Sequence, residues 1–480
     1  EILDGISLVE DEGLVTGNHF CSSPAQGAYR EYPPRPPRIP LFSLSEGTAI
    51  TSRIRGGAVS GFLLGAVGYR SRSSRLSPSL TGGSHLNVLF FAPYAGNWYL
   101  HTLWEGTIAH ALRHRGAKVR FVGCDSAFQA CDIYWDSTPR TESGCQGCQQ
   151  IGRQVFSQMG LDAAFIGERV TDADLVDIQD WLGRLGDEEL FDCRFDSYPL
   201  GAWCRASLVA HYRQPNFEPL SAEQADTFRK YLSGGAKALR ALIREFDAFQ
   251  PELLVTLNGT FFSHRVAFEL AKERGIRVVV HERGLLPETL LFNENQTIWD
   301  RPRLETLCET WKDIPLRASE LQDLQQYLTD RRYGKRLGWH AFSPAPQPLD
   351  EIRRKLGIHP DRSVVTLFTT SQSEASMSDW KGAFPDMVDW VTETIEWFRE
   401  RPEYHLVVRI HPNEDHVQGR STHVLERYRE ALFPLPENVS VVWPKDDVSS
   451  YSLMDLSRAV LVHDSTIGLE SASFRGIPVG

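Results

Sequence analysis

Apolar and polar positions alternate in two ways along the chain from residue 86 onward. Short apolar runs end abruptly in polar residues, and between them apolar residues recur every three to four positions. Residues 87–93 (NVLFFAP) read as a buried strand. Residues 99–114 read as a helix with Leu100, Leu103, Trp104, Ile108 and Leu112 on its apolar stripe, ended by Gly116, and 118–123 (KVRFVG) as a second strand. Strand, helix and strand in this order imply a parallel pair with a right-handed crossover. The alternation continues through helices at 149–159, 171–185, 222–249 and 261–274 and strands at 163–166, 253–257 (LLVTL) and 277–281 (RVVVH). From 298 to 363 the strand pattern lapses, with a helix at 316–331 and a proline-bearing connection at 342–348 (FSPAPQP). It resumes with a strand, VVTLFTT, from Val364, then a Ser-rich turn, SQSEAS, at 371–376. A helix at 387–399 and a strand, LVVRI, ending at Ile410 come next. A helix at 424–432, a strand at 439–443, a helix at 449–456 and a strand, AVLVH, ending at His463 complete the series.

This pattern predicts an α/β chain of two Rossmann-like domains, 86–300 and 363–480, joined by a connection at 301–362. No internal sequence repeat is visible. Residues 1–85 are read as an irregular extension, with a proline-rich stretch at 31–40 (EYPPRPPRIP) and a Ser, Gly and Arg-rich linker at 71–84. The chain opens on Glu1 without a methionine, as a processed chain or fragment would. It stops at Gly480 after an apolar segment with no closing helix, and this end is read as cut.

A formal net charge of −11 argues against non-specific nucleic-acid binding, which rests on Lys and Arg. No run approaches the roughly 20 apolar residues of a membrane span, residues 59–67 (VSGFLLGAV) included, and the N-terminus carries no secretory signal. Four of the eight cysteines, Cys124, Cys131, Cys145 and Cys148, crowd into one segment instead of spreading as a disulfide framework. A reducing compartment follows, and a cytoplasmic location is expected, with attachment to the face of the inner membrane left open. The spacing C-x6-C-x13-C-x2-C ends in a metal-type CxxC pair. Four thiolates would make a closed structural zinc site; an iron–sulfur cluster takes the same ligands, and free or redox-paired thiols are the alternative. Cys21, Cys193, Cys204 and Cys308 are read as incidental core residues, and His101, His110 and His114 as exposed helix surface.

Chemistry-bearing residues gather after the strands. Arg409 and His411 alternate onto one side of a strand end stopped by Pro412, and together they suit a phosphate or carboxylate. His463, Asp464, Ser465 and Thr466 form a strand-to-helix turn whose hydroxyls and N–H groups could cap the helix or hold a phosphate. Glu470 lies on the same helix, and Thr369, Thr370 and Ser371 form a third polar strand end. In the first half, Asn258 follows one strand, and His281, Glu282 and Arg283 end the next. Gly96 and Asn97 sit in the first loop.

The His-Pro strand end, the D-S-T turn, the helix with a Glu and the closing G-I-P-V resemble the nucleotide-binding half of GT-B glycosyltransferases. The likeness is nearest to the bacterial capsule polysaccharide biosynthesis group that includes the Kdo transferases, and looser to bacterial sialyltransferases with a His-Pro motif. It spans roughly residues 86–480 and is sharpest at 404–480. It implies two domains facing across a cleft that opens and closes about the connection. A nucleotide sugar, CMP-, UDP- or GDP-linked, would be the donor and a glycan or lipid-linked molecule the acceptor, with no catalytic metal or other cofactor. His411, Pro412, Ser465 and Thr466 would hold the donor phosphate, and Glu470 would reach the ribose or base. Glu282 is the first candidate for the acceptor base, ahead of Asp125 and Glu105, with Asn258, His281, Arg283, Gly96 and Asn97 lining the acceptor side. A nucleotide-sugar epimerase and a catalytically silent binding or scaffold subunit are the alternatives.

Overall fold

A computed structural model describes residues 86–134, 140–213, 217, 219–284, 289–333, 343–371, 384, 386–412, 414, 423–463 and 465–475. The N-terminal extension 1–85, all of the Ser-rich turn after Ser371, Asp464 and the G-I-P-V stretch lie outside them. The first half runs β1 (Asn87–Phe91), α1 (Tyr99–His114), β2 (Lys118–Gly123), α2 (Glu142–Gln158), β3 (Ala163–Phe165), α3 (Asp172–Gly183), α4 (Leu200–Tyr212), α5 (Ala222–Phe249), β4 (Leu253–Leu257), α6 (Phe262–Glu273), β5 (Arg277–Arg283) and β6 (Leu290–Glu294). Three helices connect the halves: α7 (Arg301–Trp311), α8 (Ala318–Arg332) and α9 (Leu349–Lys355). The second half runs β7 (Ser363–Phe368), α10 (Met387–Arg399), β8 (Tyr404–Arg409), α11 (His423–Leu432), β9 (Val439–Val442), α12 (Ser450–Leu456), β10 (Ala459–Val462) and α13 (Thr466–Arg475).

The strands form two sheets, ordered β3-β2-β1-β4-β5-β6 and β10-β7-β8-β9. All pairings are parallel except β5 with β6. A parallel sheet is covered by helices on both faces, so its strands read as continuous apolar runs. Accordingly Val88 to Phe91 and all of Leu253–Leu257 are buried. Phe90 pairs with Phe121 in the β1–β2 register, and their rings stack with centroids 4.7 Å apart. Burying each such side chain contributes roughly 1.5–3 kcal/mol.

The α/β class and the two Rossmann-like sheets agree with the sequence pattern. Some details differ. α4 and β6 are additional elements of the first half, and α7 and α9 add helix to the connection. α2 begins seven residues earlier than its periodicity suggests, at Glu142 instead of 149, because the Thr141 hydroxyl accepts from Gly144 N at 3.1 Å. Cys145 and Cys148 therefore lie on a helix, not in a loop. α1 is turned from its expected face: it buries Thr102, Glu105, Gly106 and Ala109, while Leu100 is 45% exposed.

In each sheet the chain starts in the interior, builds to one side, then returns to the other. The order reverses between β1 and β4 in the first sheet and between β7 and β10 in the second. In open α/β sheets ligands bind outside the carboxyl ends of the strands at such a switch point.

Candidate functional site

Three polar turns follow the adjacent strands β10, β7 and β8 of the second sheet. After β7, Thr369 holds the neighbouring strand end: its hydroxyl accepts from His411 N at 2.8 Å, and its own N–H donates to Arg409 O at 3.1 Å. Thr370 and Ser371 are buried beside it. After β8, the His411 carbonyl accepts from Glu414 N at 3.0 Å, closing the turn around the buried Pro412. Ser465 caps α13 after β10, its hydroxyl accepting from Ile467 N at 3.4 Å and its carbonyl from Gly468 N at 3.2 Å. Thr466 is exposed on the first turn of that helix. The expected residues thus lie at the carboxyl ends of β10, β7 and β8, where the turns after β7 and β8 touch and those of β7 and β10 flank the switch point.

Two of them occupy unexpected surroundings. Arg409 is buried. One guanidinium nitrogen donates to Trp443 O, its Nε has no hydrogen-bond partner, and no carboxylate lies within ion-pair distance of it among the described residues. Burial lowers its pKa to about 10, opposed by the charge of Asp446. Glu470 is buried too. It accepts from Tyr451 Oη at 2.7 Å and pairs with Arg331 at 2.9 Å. The carboxylate that the family resemblance puts on a ribose or base is instead engaged by protein groups from α12 and α8.

In the first sheet the loops after β1 and β4 flank the switch point. Asn258 ties the loop after β4 to β5. Its N–H donates to His281 O at 3.0 Å, its Oδ1 accepts from Thr260 N at 3.0 Å, and its Nδ2 donates to Glu282 Oε2 at 3.2 Å. The next residue, Gly259, has φ of 75°, a left-handed conformation that favours glycine. Glu282 also accepts from Arg283 N at 2.9 Å, so its carboxylate is fixed yet only half-buried. Burial lowers the pKa of the neighbouring Arg283 guanidinium, opposed by Glu282.

The other expected residues are corrected. His281 is fully buried and lines no open surface; its Nε2 meets Glu105 Oε1 at 2.8 Å. Burial raises the Glu105 carboxyl, and the histidine partly offsets this. The weaker base candidate is therefore His281's buried partner. Asp125 is a turn anchor, accepting from Gly167 N at 2.7 Å. Asn97 is exposed, but Gly96 is packed: a Cβ there would sit 1.8 Å from Cys148 O. Gly96→Ala must displace either this loop or α2. The expected loss is at least the 1–3 kcal/mol typical of overpacking, read by denaturant unfolding, and wild-type stability would refute the close approach.

Sequence reasoning missed the histidine cluster around this pair. His101 is half-buried, not surface, and its ring lies 5.9 Å from that of His281. His264 is buried among Phe91, Tyr94 and Trp98. Burial first, then the neighbouring histidines, lower both pKa values to about 3, with Arg283 adding to the effect on His101. The unfolded chain binds these protons near the ordinary value of 6.5 and the folded chain does not, so stability rises with pH across that window. Acidification from pH 6.5 toward 3 should therefore cost up to ~1.4 kcal/mol per pH unit for His264 alone. His264→Phe keeps the aromatic packing and should flatten this limb; an unchanged pH profile would contradict the assignment. The position of a histidine on the apolar face of a helix was the available signal.

No protein-family model matches the chain, and no curated protein matches it in sequence. Solved structures similar to it include a UDP-GlcNAc 2-epimerase from Neisseria meningitidis bound to UDP-GlcNAc, at 12% identity over 82% of this chain and 81% of that one, with a TM-score of 0.25. The glycosyltransferase SnogD from Streptomyces nogalater matches at 12% identity over 82% and 81%, with a TM-score of 0.19. MurG from Acinetobacter baumannii matches at 9% over 82% and 77%, with a TM-score of 0.20. These likenesses assign no activity to this chain. No helix among the described residues is long and apolar enough to cross a membrane.

Proposed function

We propose that the chain transfers a sugar from a nucleotide-sugar donor to a glycan or lipid-linked acceptor, in capsule or other surface polysaccharide synthesis. The observation that carries this reading is the set of donor groups at the carboxyl ends of β10, β7 and β8. Ser465, Thr466 and the start of α13 follow β10, beside the reversal of strand order, and the buried Arg409 and then His411 end β8, one strand beyond β7. Such a set suits the phosphate that departs with the nucleotide. Hydroxyls, amides and cations fixed in advance stabilise charge that develops as the sugar leaves. Glu470 then acts from behind, holding α13 through Tyr451 and Arg331.

Across the other switch point, Glu282 is the acceptor base. In an inverting reaction its carboxylate takes the proton from the acceptor hydroxyl as that oxygen bonds to the anomeric carbon. The bond from that carbon to the donor phosphate breaks, and the nucleotide leaves with the electron pair. Asn258 keeps the carboxylate oriented for this step.

The test is thermal unfolding with CMP, UDP and GDP and their sugars. A nucleotide that binds only the folded chain stabilises it by about 2.7 kcal/mol at a hundred times its Kd. At least one should do so. A flat response to the whole set removes the reading, and product formed from the nucleotide sugar without acceptor replaces it with epimerisation.

A further inference from the structure

We propose that Trp98 and Phe261 form an aromatic platform for a sugar ring, which makes the acceptor a saccharide at its reacting end. The binding stands on the first sheet alone, and naming the sugar as the acceptor rests on the transfer reading. Trp98 closes the loop after β1 and Phe261 the loop after β4, the two loops that flank the switch point. Their rings meet with centroids 5.4 Å apart and planes tilted by 45°. Both residues are only half-buried. The next residue, Phe262, is fully buried, and its N–H donates to Ser207 Oγ at 2.8 Å. One ring enters the core and its neighbour stays half open.

Both positions break a local rule. Trp98 is the N-cap of α1 and Phe261 the N-cap of α6, and neither side chain caps its helix. Ser, Thr, Asp and Asn are preferred there because their oxygens satisfy an orphan N–H. Sequences break such rules where function needs the side chain. α1 also turns Tyr99 and Leu100 outward beside the same loop, each 45% exposed, while it buries Glu105. Trp98 is fixed in place: its N–H donates to Tyr94 O at 2.8 Å, and the Tyr94 ring meets it edge-on at 5.0 Å. A ring ordered in advance loses little freedom when a ligand settles on it. Two residues earlier, Gly96 packs against Cys148 O. Among the described residues no three His, Cys, Asp or Glu side chains group as the ligands of a metal, Cys124, Cys131, Cys145 and Cys148 included, so no metal tie is invoked for this loop.

A pyranose ring fits this pair. Its C–H bonds carry slight positive charge and meet the negative face of an aromatic ring, while its hydroxyls reach outward to polar partners. Asn258 links the platform to the carboxylate of Glu282. Its Oδ1 accepts from the N–H of Thr260, the residue before Phe261, at 3.0 Å, and its Nδ2 donates to Glu282 at 3.2 Å. The rings of His101 and His264 lie 6.3 and 6.4 Å from that of Trp98, and each keeps a buried Nδ1 with no hydrogen-bond partner among the described residues. His264 itself is 2% exposed. A hydrocarbon chain on the platform would leave these nitrogens stranded, at a cost in binding. A hydroxylated ring satisfies them directly or through water. A nucleotide would bring its phosphate toward the Glu282 carboxylate, which repels it.

The experiment is saturation-transfer difference NMR on the whole chain with the methyl glycosides of glucose, galactose, mannose and N-acetylglucosamine, and with octyl glucoside. At least one methyl glycoside should receive saturation, strongest at the C–H protons of one ring face. Trp98→Ala should weaken that binding by about tenfold or more, as truncating a central tryptophan does, and Trp98→Phe should retain most of it. Phe261→Leu keeps apolar bulk without a ring and should also weaken binding, which decides the matter if Trp98→Ala fails to fold. Unfolding curves accompany each variant. No saturation of any methyl glycoside by the wild type, saturation confined to the octyl chain, or folded Trp98→Ala and Phe261→Leu variants that bind like the wild type would each overturn the proposal. Sugar binding beside a flat nucleotide panel removes the transfer reading and leaves the platform; nucleotides bound without any sugar remove the platform alone.

Discussion

His411→Ala is expected to lower turnover by about 10²–10³-fold, the usual effect of removing a group that stabilises charge developing in a transition state. The fold should survive. The main chain of His411 makes two bonds at this strand end, His411 N to the Thr369 hydroxyl at 2.8 Å and Glu414 N to His411 O at 3.0 Å, and truncating the imidazole leaves both in place. Because phosphate charge builds up only as the sugar departs, kcat and kcat/KM should fall together. A variant that raised KM alone would make His411 a ground-state binding group. The check is steady-state kinetics with the donor identified by the nucleotide panel, beside unfolding curves for both proteins. Unchanged turnover in a folded variant would end the role proposed for this residue.

The strands that position this site were legible because burial on both faces writes them as unbroken apolar runs, as in LLVTL of β4 and LVVRI of β8. The polar turns were legible for the same reason: each starts where an apolar run stops. Helix faces were less so. In α1 the rule that apolar residues point inward fails, because Glu105 has a partner in His281 that makes its burial tolerable. α4 is packed on most sides, with Leu200, Trp203, Cys204, Ser207, Leu208 and Tyr212 all buried, so it has no polar stripe to give it a period. β6 is a half-exposed antiparallel edge strand whose apolar run, Leu290 to Phe292, is short and stops at Asn293. Pairings between distant segments left no trace in local pattern. Nothing in the spacing of Glu470 names Tyr451 and Arg331, and nothing near the His-Pro pair names Arg213.

That last pairing carries the largest expected effect on stability. Arg213 ends α4 in the left-handed region, with φ of 53°, and its guanidinium meets the Glu414 carboxylate at 3.3 Å. The partners are 201 residues apart, one in the first half of the chain and one three residues beyond His411, and both are almost fully buried. Two charges taken out of water cost several kcal/mol each, which their attraction and hydrogen bonds must offset. Glu414→Ala takes one buried carboxylate from Arg213 and should destabilise the chain by about 3–5 kcal/mol, as should Arg213→Met for the converse reason. Replacing both at once, Arg213→Met with Glu414→Leu, removes the desolvation cost along with the attraction. The double variant should therefore be clearly more stable than either single one, and a double-mutant cycle in denaturant should report coupling above 1 kcal/mol. Because Glu414 N also closes the turn on His411 O, the single variants should lose turnover through a displaced His411, and the Met–Leu pair should recover stability more fully than rate. Additive single effects below about 1 kcal/mol would mean that this ion pair behaves as a solvated surface contact and does not hold the His-Pro turn against the first half of the chain.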